Sequence, residues 1–418
     1  MDAFRIIGGN KLQGTVTISG AKNAALPIMV ATLLTSGKSV LRNVPNLRDV
    51  ATMSKMLRLL GAQVTFEKNV LTVDTSKVNK WEAPYELVKT MRASVYVLGP
   101  LLARFGQARV SLPGGCAWGP RPVDLHIKGM QKLGAEVDVE HGYIVARAKR
   151  LKGAHIYFDI SSVGATGNIM MAATLARGTT RIENAAREPD IVALAFFLRK
   201  MGARIEGEGT DTIEIEGVDN LSPQEEEIIP DRIEAGTFMG AAAITGGEVI
   251  LENCIPEHVN AFTEKLRESG VQIEEGENSM RVKTSRGLQP VHVTTAPYPG
   301  FPTDLQAQMM SLLSIAEGTS VITETIFTDR FNHAPELQRL GADITVDENV
   351  AVITGVEKLS GAPVMATDIR ASAALVLAGL VAEGETTISR VYHIDRGYER
   401  IEEKLSSLGA NIERMREA

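Results

Sequence analysis

A tripeptide that returns at near-constant intervals constrains this chain more than any other feature. Leu60-Gly61-Ala62 recurs as Leu133-Gly134-Ala135, Leu340-Gly341-Ala342 and Leu408-Gly409-Ala410, with Met201-Gly202-Ala203 and Ser269-Gly270-Val271 as variants. The glycines are 73, 68, 68, 71 and 68 residues apart. A second series, Gly37, Gly106, Gly178, Gly247, Gly318 and Gly384, shows spacings of 69, 72, 69, 71 and 66 at another phase. Both periods are close to one sixth of the 418 residues, so the chain reads as six copies of one unit of about 70 residues.

Each copy opens on an apolar, alanine-rich run such as residues 24–34 or 371–382. A helix apolar on all sides is buried all round. The second-series glycine follows at the helix end, where left-handed backbone suits glycine. A β-branched strand comes next, as at residues 321–323 and 386–388. In the first copy Val50, Met53, Leu57 and Leu60 then recur at helical spacing, giving a second helix with one apolar stripe. One or two strands close the copy, as at residues 63–66 and 71–74. One buried helix, one half-exposed helix and strands in six copies imply a layered α/β architecture, with sheets outside and apolar helices inside.

Six copies exceed one core, and at roughly 150 residues per domain the length suggests two or three domains. The acidic stretch 221–230, with Pro223 and Glu225-Glu226-Glu227, falls between the third and fourth copies and resembles a linker. Residues 1–20 hold strand-like pieces at 4–7 and 15–18 that would complete the last copy in space. The expected division is a discontinuous domain of residues 1–21 and 230–418 and a domain of residues 22–229, three copies each.

The balance of 44 basic and 51 acidic residues, net −7, disfavours nucleic acid and anionic membranes as partners. The longest apolar runs fall short of the ~20 residues of a membrane span, and no signal-peptide core is read. Cys116 and Cys254 lack CxxC spacing, which argues for a reducing, cytoplasmic setting and against a disulfide framework. No phosphate-binding loop, dinucleotide-binding glycine turn or histidine metal spacing is present, so neither cofactor nor metal is expected.

Differences between copies mark candidate chemistry. Before each buried helix sits a polar patch: Lys22-Asn23, Arg92, Ser161-Ser162, Arg232 with Glu234, Thr303-Asp304, and Asp368 with Arg370. Ser, Thr and Asp there serve as ordinary caps. Lys22, Arg92 and Arg370 do not, because a cation is disfavoured at a helix N-terminus. A bound anion would resolve the conflict, and so would plain surface exposure. The loop before the second helix carries Arg48, Arg121, Arg187, Arg330 and Arg396 in five of the six copies. Converging in one cleft they suit a small polyanion; paired with Asp329, Asp395 and Glu399 they are surface arginines. The second copy departs most, with three glycines, three prolines and Cys116 in residues 112–124. A thiol near arginine in such a loop is a candidate nucleophile or acid, the alternative being a small buried hydrophobe. Cys254, just after the strand at 249–251, fits that alternative. Trp118 reads as a lid anchor or as packing.

A set of longer motifs extends along the whole chain. It comprises Ser19-Gly20-Ala21-Lys22-Asn23-Ala24, Met91-Arg92-Ala93-Ser94, Leu112-Pro113-Gly114-Gly115-Cys116, Arg121-Pro122-Val123-Asp124 and Ser162-Val163-Gly164-Ala165-Thr166. It continues with Pro230-Asp231-Arg232-Ile233-Glu234, Phe301-Pro302-Thr303-Asp304, Thr367-Asp368-Ile369-Arg370-Ala371-Ser372 and His393-Ile394-Asp395-Arg396-Gly397-Tyr398. Together these resemble the enolpyruvyl transferase family, in its branch acting on UDP-N-acetylglucosamine. The shikimate-pathway branch shares the fold but lacks the cysteine loop.

The resemblance implies an inside-out α/β barrel fold, two domains of three units each with ligands in the cleft between. It implies transfer of the enolpyruvyl group of phosphoenolpyruvate to the 3′-hydroxyl of UDP-N-acetylglucosamine with release of phosphate, the first committed step of peptidoglycan synthesis. Lys22, Asn23, Arg121, Arg330, Arg370 and Arg396 would hold phosphoenolpyruvate or phosphate. Arg92, Arg121, Pro122, Val123, Asp124, Leu125, Ile160, Ser161, Ser162, Val163, Asp304 and Ile326 would hold the nucleotide sugar. Asp304 would act as base near the 3′-hydroxyl, with Lys22 and Arg396 also catalytic. Cys116 would protonate the methylene carbon and be the thiol that fosfomycin alkylates. Trp118 stands where a smaller residue is expected, and Ile160 where some members carry Lys. A non-catalytic anion-binding scaffold and a shikimate-type transferase are the competing readings.

Overall fold

The computed structural model describes residues 2–113, 123–284 and 287–416. The chain forms two compact units, one of Met1–Ser19 with Pro230–Ala418 and one of Gly20–Ile229. Each has its own apolar core, built around Phe4, Phe238, Met309 and Leu377 in the first and Met53, Leu101, Ile169 and Leu198 in the second. Ala21 belongs with the second, its N–H donating to the Ile229 carbonyl at 2.7 Å.

The described residues hold six four-stranded sheets, three in each unit. The third copy shows the common plan. His155–Tyr157 runs parallel to Thr179–Glu183, and the helix Val163–Ala173 is the crossover that parallel neighbours require. All of that helix after Gly164 is buried, so it has no polar face to turn outward. The helix Pro189–Met201 follows, and the hairpin Arg204–Glu206/Thr212–Glu216 returns to the sheet antiparallel to Thr179–Glu183. In the first copy Arg48–Leu60 buries Val50, Met53, Leu57 and Leu60 and ends on Gly61 at φ 109°. The corresponding glycine is left-handed in every copy. The other glycine series breaks once: in the fourth copy Gly246, at φ 62°, takes the left-handed place rather than Gly247.

The handover between copies is cyclic. Val70–Asp74 leads to Glu82–Ala83, the parallel edge strand of the next copy, and Tyr143–Arg147 leads likewise to His155–Tyr157. After the third copy, Thr212–Glu216 leads to Glu225–Glu227, which pairs parallel with Lys38–Arg42 of the first. The stretch expected to be a linker is therefore in part an edge strand that returns the third copy to the first. Glutamates suit an edge: Arg42 reaches Glu225 at 3.1 Å and Lys200 reaches Glu226 at 2.9 Å. The other unit closes by the same device. Asp2–Ile7 is the last strand of the sixth copy, antiparallel to both Glu385–Ser389 and Asn411–Arg416. Gln13–Thr17 then pairs parallel with Glu248–Glu252 of the fourth. No helix among the described residues is long and apolar enough to cross a membrane.

One backbone bond pins the sheet to the end of the buried helix in five copies. The N–H of Thr75, Ala148, Gly217, Thr284 and Gly355 donates to the carbonyl of Gly37, Gly106, Gly178, Gly247 and Gly318 at 2.9 to 3.1 Å. In three copies the helix end crowds this place. A Cβ on Gly8, Gly217 or Gly355 would stand 2.3, 1.7 or 1.6 Å from the carbonyl oxygen of Ala382, Ala176 or Ala316. Gly355→Ala should lower the stability of its unit by about 4 kcal/mol or more, since the colliding groups are backbone. Gly134→Ala, at φ 86° with nothing within 4 Å of the added carbon, should cost only about 1–2 kcal/mol of left-handed strain. Urea unfolding followed by circular dichroism compares the two, and equal losses would remove the carbonyl contact as the cause.

Candidate active site

In the discontinuous unit the chain enters a buried helix, Gln306–Leu313, through the short 3₁₀ turn Thr303–Leu305. Asp304 on that turn lies between two arginines, with Oδ1 2.8 Å from Arg330 and Oδ2 3.2 Å from Arg370. The arginine side chains are 8% and 6% exposed and that of Asp304 26%, so the carboxylate is the member that meets solvent. Burial pushes the Asp304 carboxyl up, but Arg370 and then Arg330 outweigh it and hold the group well below the usual carboxylate range.

Arg370 stands in the first turn of Ile369–Gly379, a place that disfavours a cation. Asp368 caps that helix by accepting from the N–H groups of Arg370 and Ala371 at 2.8 and 3.1 Å, and Asp304 meets the guanidinium. Inward, Arg370 Nη1 reaches the Tyr398 hydroxyl at 3.5 Å. That hydroxyl is 2.9 Å from Thr237 Oγ1, and Gln308 Nε2 lies 3.2 Å from both. Arg396 ends the 3₁₀ helix Val391–Arg396, two residues before Tyr398. Its neighbour Asp395 is gripped by Arg414 at 2.6 and 3.1 Å. Ile326 turns its N–H toward Glu324 Oε1 at 2.8 Å.

In the contiguous unit Lys22 begins the helix Lys22–Ala31, whose cap residue Ala21 offers no side-chain acceptor. Lys22 Nζ lies 3.2 Å from Asp49, with the two side chains 11% and 5% exposed. Asn23 follows, half-buried. Arg92 begins the 3₁₀ helix Arg92–Val97. Ser162 caps Val163–Ala173 by accepting from the Ala165 N–H at 3.2 Å. Ser161 beside it is half-buried and Ile160 strongly exposed. Val123 precedes the helix Asp124–Lys132, on which Asp124 pairs with Lys128 at 3.4 Å and Leu125 packs against the core.

Several of these pieces converge on His126. Asn168 Oδ1 accepts from the Gly99 N–H at 2.7 Å, so its amide nitrogen donates to the Val95 carbonyl and to His126 Nδ1, both at 2.9 Å. The imidazole is thereby neutral with its proton on Nε2. That nitrogen lies 3.2 Å from where a Cβ on Gly164 would stand. Burial and then Arg92 lower the His126 pKa to about 4, with Asp124 opposing.

The structure thus joins Asp304, Arg330 and Arg370 directly, and sets Arg92, Asp124 and Gly164, two residues after the Ser162 cap, around His126. Cys116, Arg121 and Pro122 lie outside the described residues, as does Trp118. At the helix starts of Lys22 and Arg370 a side-chain carboxylate, Asp49 or Asp304, faces the cation. Arg187 donates to the Gly209 carbonyl at 3.3 Å on an exposed surface, as an ordinary surface arginine does. Sequence reasoning missed Asp49, His126 and Glu324. His126 was within reach, two residues after Asp124 of a motif already singled out.

His126 makes a pH prediction. Its folded pKa of about 4 lies below the ordinary value of 6.5, so between these values the unfolded chain binds more protons and stability falls as pH falls. The contribution is intact above about pH 6.5 and smaller by about 2 kcal/mol at pH 5. Urea unfolding of the protein and of His126→Gln at pH 7 and pH 5 should show a shallower pH dependence in the variant; identical slopes would contradict a buried neutral imidazole.

The profile of the family described as EPSP synthase (3-phosphoshikimate 1-carboxyvinyltransferase) matches residues 6–405. The UDP-N-acetylglucosamine 1-carboxyvinyltransferase of Thermodesulfovibrio yellowstonii is 58% identical over 417 residues, covering 100% of both chains. The protein of the same name from Geobacter metallireducens gives the same identity and coverage. Among solved structures, the enolpyruvyl transferase NikO from Streptomyces tendae superposes with a TM-score of 0.90 at 28% identity, over 100% of this chain and 99% of that one. EPSP synthase from Acinetobacter baumannii, at 21% identity and a TM-score of 0.78 over the full length of both chains, shares the fold. With the profile spanning nearly every residue and 58% identity over the full length of both relatives, this chain belongs to the enolpyruvyl transferase family, among its UDP-N-acetylglucosamine 1-carboxyvinyltransferases.

Proposed function

We propose that this chain transfers the enolpyruvyl group of phosphoenolpyruvate to the 3′-hydroxyl of UDP-N-acetylglucosamine and releases phosphate, the first committed step of peptidoglycan synthesis. The observation that carries the reading is the Asp304 carboxylate held between Arg330 and Arg370, in a chain 58% identical along its length to proteins named for that transfer.

Phosphoenolpyruvate presents a phosphate and a carboxylate, the groups that guanidinium forks bind through paired N–H donors. Arg330, Arg370 and Arg396, with Lys22, Asn23 and Arg121, are assigned to it. Arg92, residues 121–125 and 160–163, and Ile326 are assigned to the nucleotide sugar. Asp304 is assigned as the base that takes the 3′-hydroxyl proton. Its low proton affinity in the free protein then has a use. Substrate anions that engage Arg330 and Arg370 weaken their hold on Asp304, so the base gains strength only once phosphoenolpyruvate is bound. As the sugar oxygen bonds to C2, Cys116 delivers a proton to C3. Loss of phosphate and of one C3 proton then restores the vinyl group. The cytoplasmic setting and the independence from cofactors read from the sequence belong to the same proposal.

Cys254 is a poor substitute for Cys116. It is 2% exposed, and burial, with Glu257 and Glu275, pushes its thiol up to about 12. Cys116→Ala should lose turnover while still binding UDP-N-acetylglucosamine, Cys254→Ala should keep both, and Cys116→Asp should retain activity and resist fosfomycin. Phosphate release from phosphoenolpyruvate, assayed with UDP-N-acetylglucosamine and with shikimate 3-phosphate, and intact mass after fosfomycin treatment check these outcomes. Turnover with shikimate 3-phosphate alone, or a fosfomycin adduct on Cys254, would overturn the reading.

A further inference from the structure

One backbone hydrogen bond recurs in five of the copies. A residue past the central strand, directly after it in the second and fifth copies and after an inserted left-handed Asn43, Asn184 or Asn253 in the first, third and fourth, donates its N–H to the carbonyl of the turn residue before the returning hairpin strand. The pairs are Val44 to Asn69, Leu112 to Gly142, Ala185 to Asp211, Cys254 to Asn278 and Glu324 to Asn349, at 2.8 to 3.1 Å. Four of these positions carry apolar residues, and Val44, Ala185 and Cys254 are buried. In the fifth copy the residue that makes this bond is a glutamate that is 0% exposed. A buried carboxylate is costly where the fold accepts Val, Leu, Ala or Cys, so its retention needs a reason beyond packing.

Its contacts supply one. Glu324 Oε1 accepts from the Thr295 hydroxyl at 2.8 Å and from the N–H groups of Ile326 and Phe327 at 2.8 and 3.0 Å. Oε2 accepts from the Thr303 hydroxyl at 2.9 Å. Thr303 Oγ1 in turn accepts from Arg330 Nη1 at 2.9 Å, while Arg330 Nη2 holds Asp304 at 2.8 Å. The single hydroxyl proton of Thr303 is committed to Glu324, which leaves an oxygen lone pair facing the guanidinium. Thr303 thus holds Arg330 independently of Asp304, which must let go when it takes up the substrate hydroxyl.

We propose that Glu324 is a positioning residue that acts through Thr303 to keep the Arg330 guanidinium aimed at the anionic substrate while Asp304 is occupied elsewhere. The proposal rests on the enolpyruvyl-transfer reading for the identity of that anion. It assigns to Glu324 and Thr303 a share in phosphoenolpyruvate affinity though neither is asked to touch it.

Glu324→Gln is the discriminating change. Its amide oxygen can keep the Thr295, Ile326 and Phe327 contacts, whereas the amide nitrogen can only donate toward Thr303 and competes with Arg330 for the same oxygen. Glu324→Gln and Thr303→Val should each raise KM for phosphoenolpyruvate about tenfold or more, with KM for UDP-N-acetylglucosamine within about twofold. Thr303→Ser, which keeps the hydroxyl, should restore the wild-type value, and the Glu324→Gln/Thr303→Val double variant should be no worse than the poorer single one. Calorimetric titration with phosphoenolpyruvate should show the same tenfold loss of affinity without turnover. A lowered melting temperature with both KM values unchanged, or with both raised alike, would make Glu324 a structural fastener and sink the proposal. Failure of the wild-type protein to turn over would instead count against the assigned reaction, and the titrations would still decide whether Glu324 supports anion binding.

Discussion

Each copy of the repeat contains a helix with no polar face, and the rest of the molecule is arranged around the need to cover it. A single copy cannot do so: its own sheet and half-exposed helix shield only part of the cylinder. Neighbouring copies supply the remainder through small residues that let helices approach, as where Ser311 Oγ donates to the Ala374 carbonyl at 2.8 Å across two buried helices. The cyclic exchange of edge strands follows, because within a unit every copy then has a neighbour on both sides. Two separate apolar cores of three copies are the outcome.

The same constraint concentrates charge. A helix buried along its length still presents unpaired N–H groups at its start, and those starts are where its polar residues gather. Asp231, Asp368 and Ser162 cap them in the ordinary way. Lys22 and Arg370 run against the helix dipole, and each is matched by a carboxylate from a neighbouring element, Asp49 or Asp304. A cation so placed sits in a largely buried ion pair, which is a different condition from a surface ion pair of little energetic consequence.

Much of this architecture was legible because it is periodic. The strand expected at residues 321–323 is Thr319–Thr323, and the run at 371–382 is the helix Ile369–Gly379 followed by a turn. The residues 225–227 were misjudged because a run of glutamates looks like a solvated connector. An edge strand tolerates the same composition, and its pairing with Lys38–Arg42 is a long-range fact that no local pattern carries. Asp304 and Arg370 stood out by their place at helix starts, and Arg330 by recurrence in the loop. Asp49 and Glu324 did not: Asp49 looks like any acidic residue in a first helical turn, and Glu324 becomes anomalous only once a recurring backbone hydrogen bond groups it with the buried Val44, Ala185 and Cys254. The glycine requirement at 8, 217 and 355 does leave a trace, since these are the copies whose buried helix ends in Ala-x-Gly: 176–178, 316–318 and 382–384.

The borrowed strands bear on how the polypeptide can acquire this arrangement during synthesis. The hairpin Gln63–Glu67/Val70–Asp74 closes over two residues, whereas Asp2–Ile7 must find Asn411–Arg416 at the far end of the chain. Closing a loop of that size adds an entropic barrier and slows pairing. The unit Gly20–Ile229 has every strand it needs once Ile229 has been made. Asp2–Ile7 and Gln13–Thr17, synthesised before it, have no sheet to join until after it. Two early strands thus wait with open hydrogen-bonding edges while the inserted unit folds, the interval in which a nascent chain is most exposed to pairing with the wrong partner. Lys11, Asn10 and the glycines at 8, 9 and 14 that interrupt this stretch shorten its apolar runs, and so act on the folding chain as well as on the finished one.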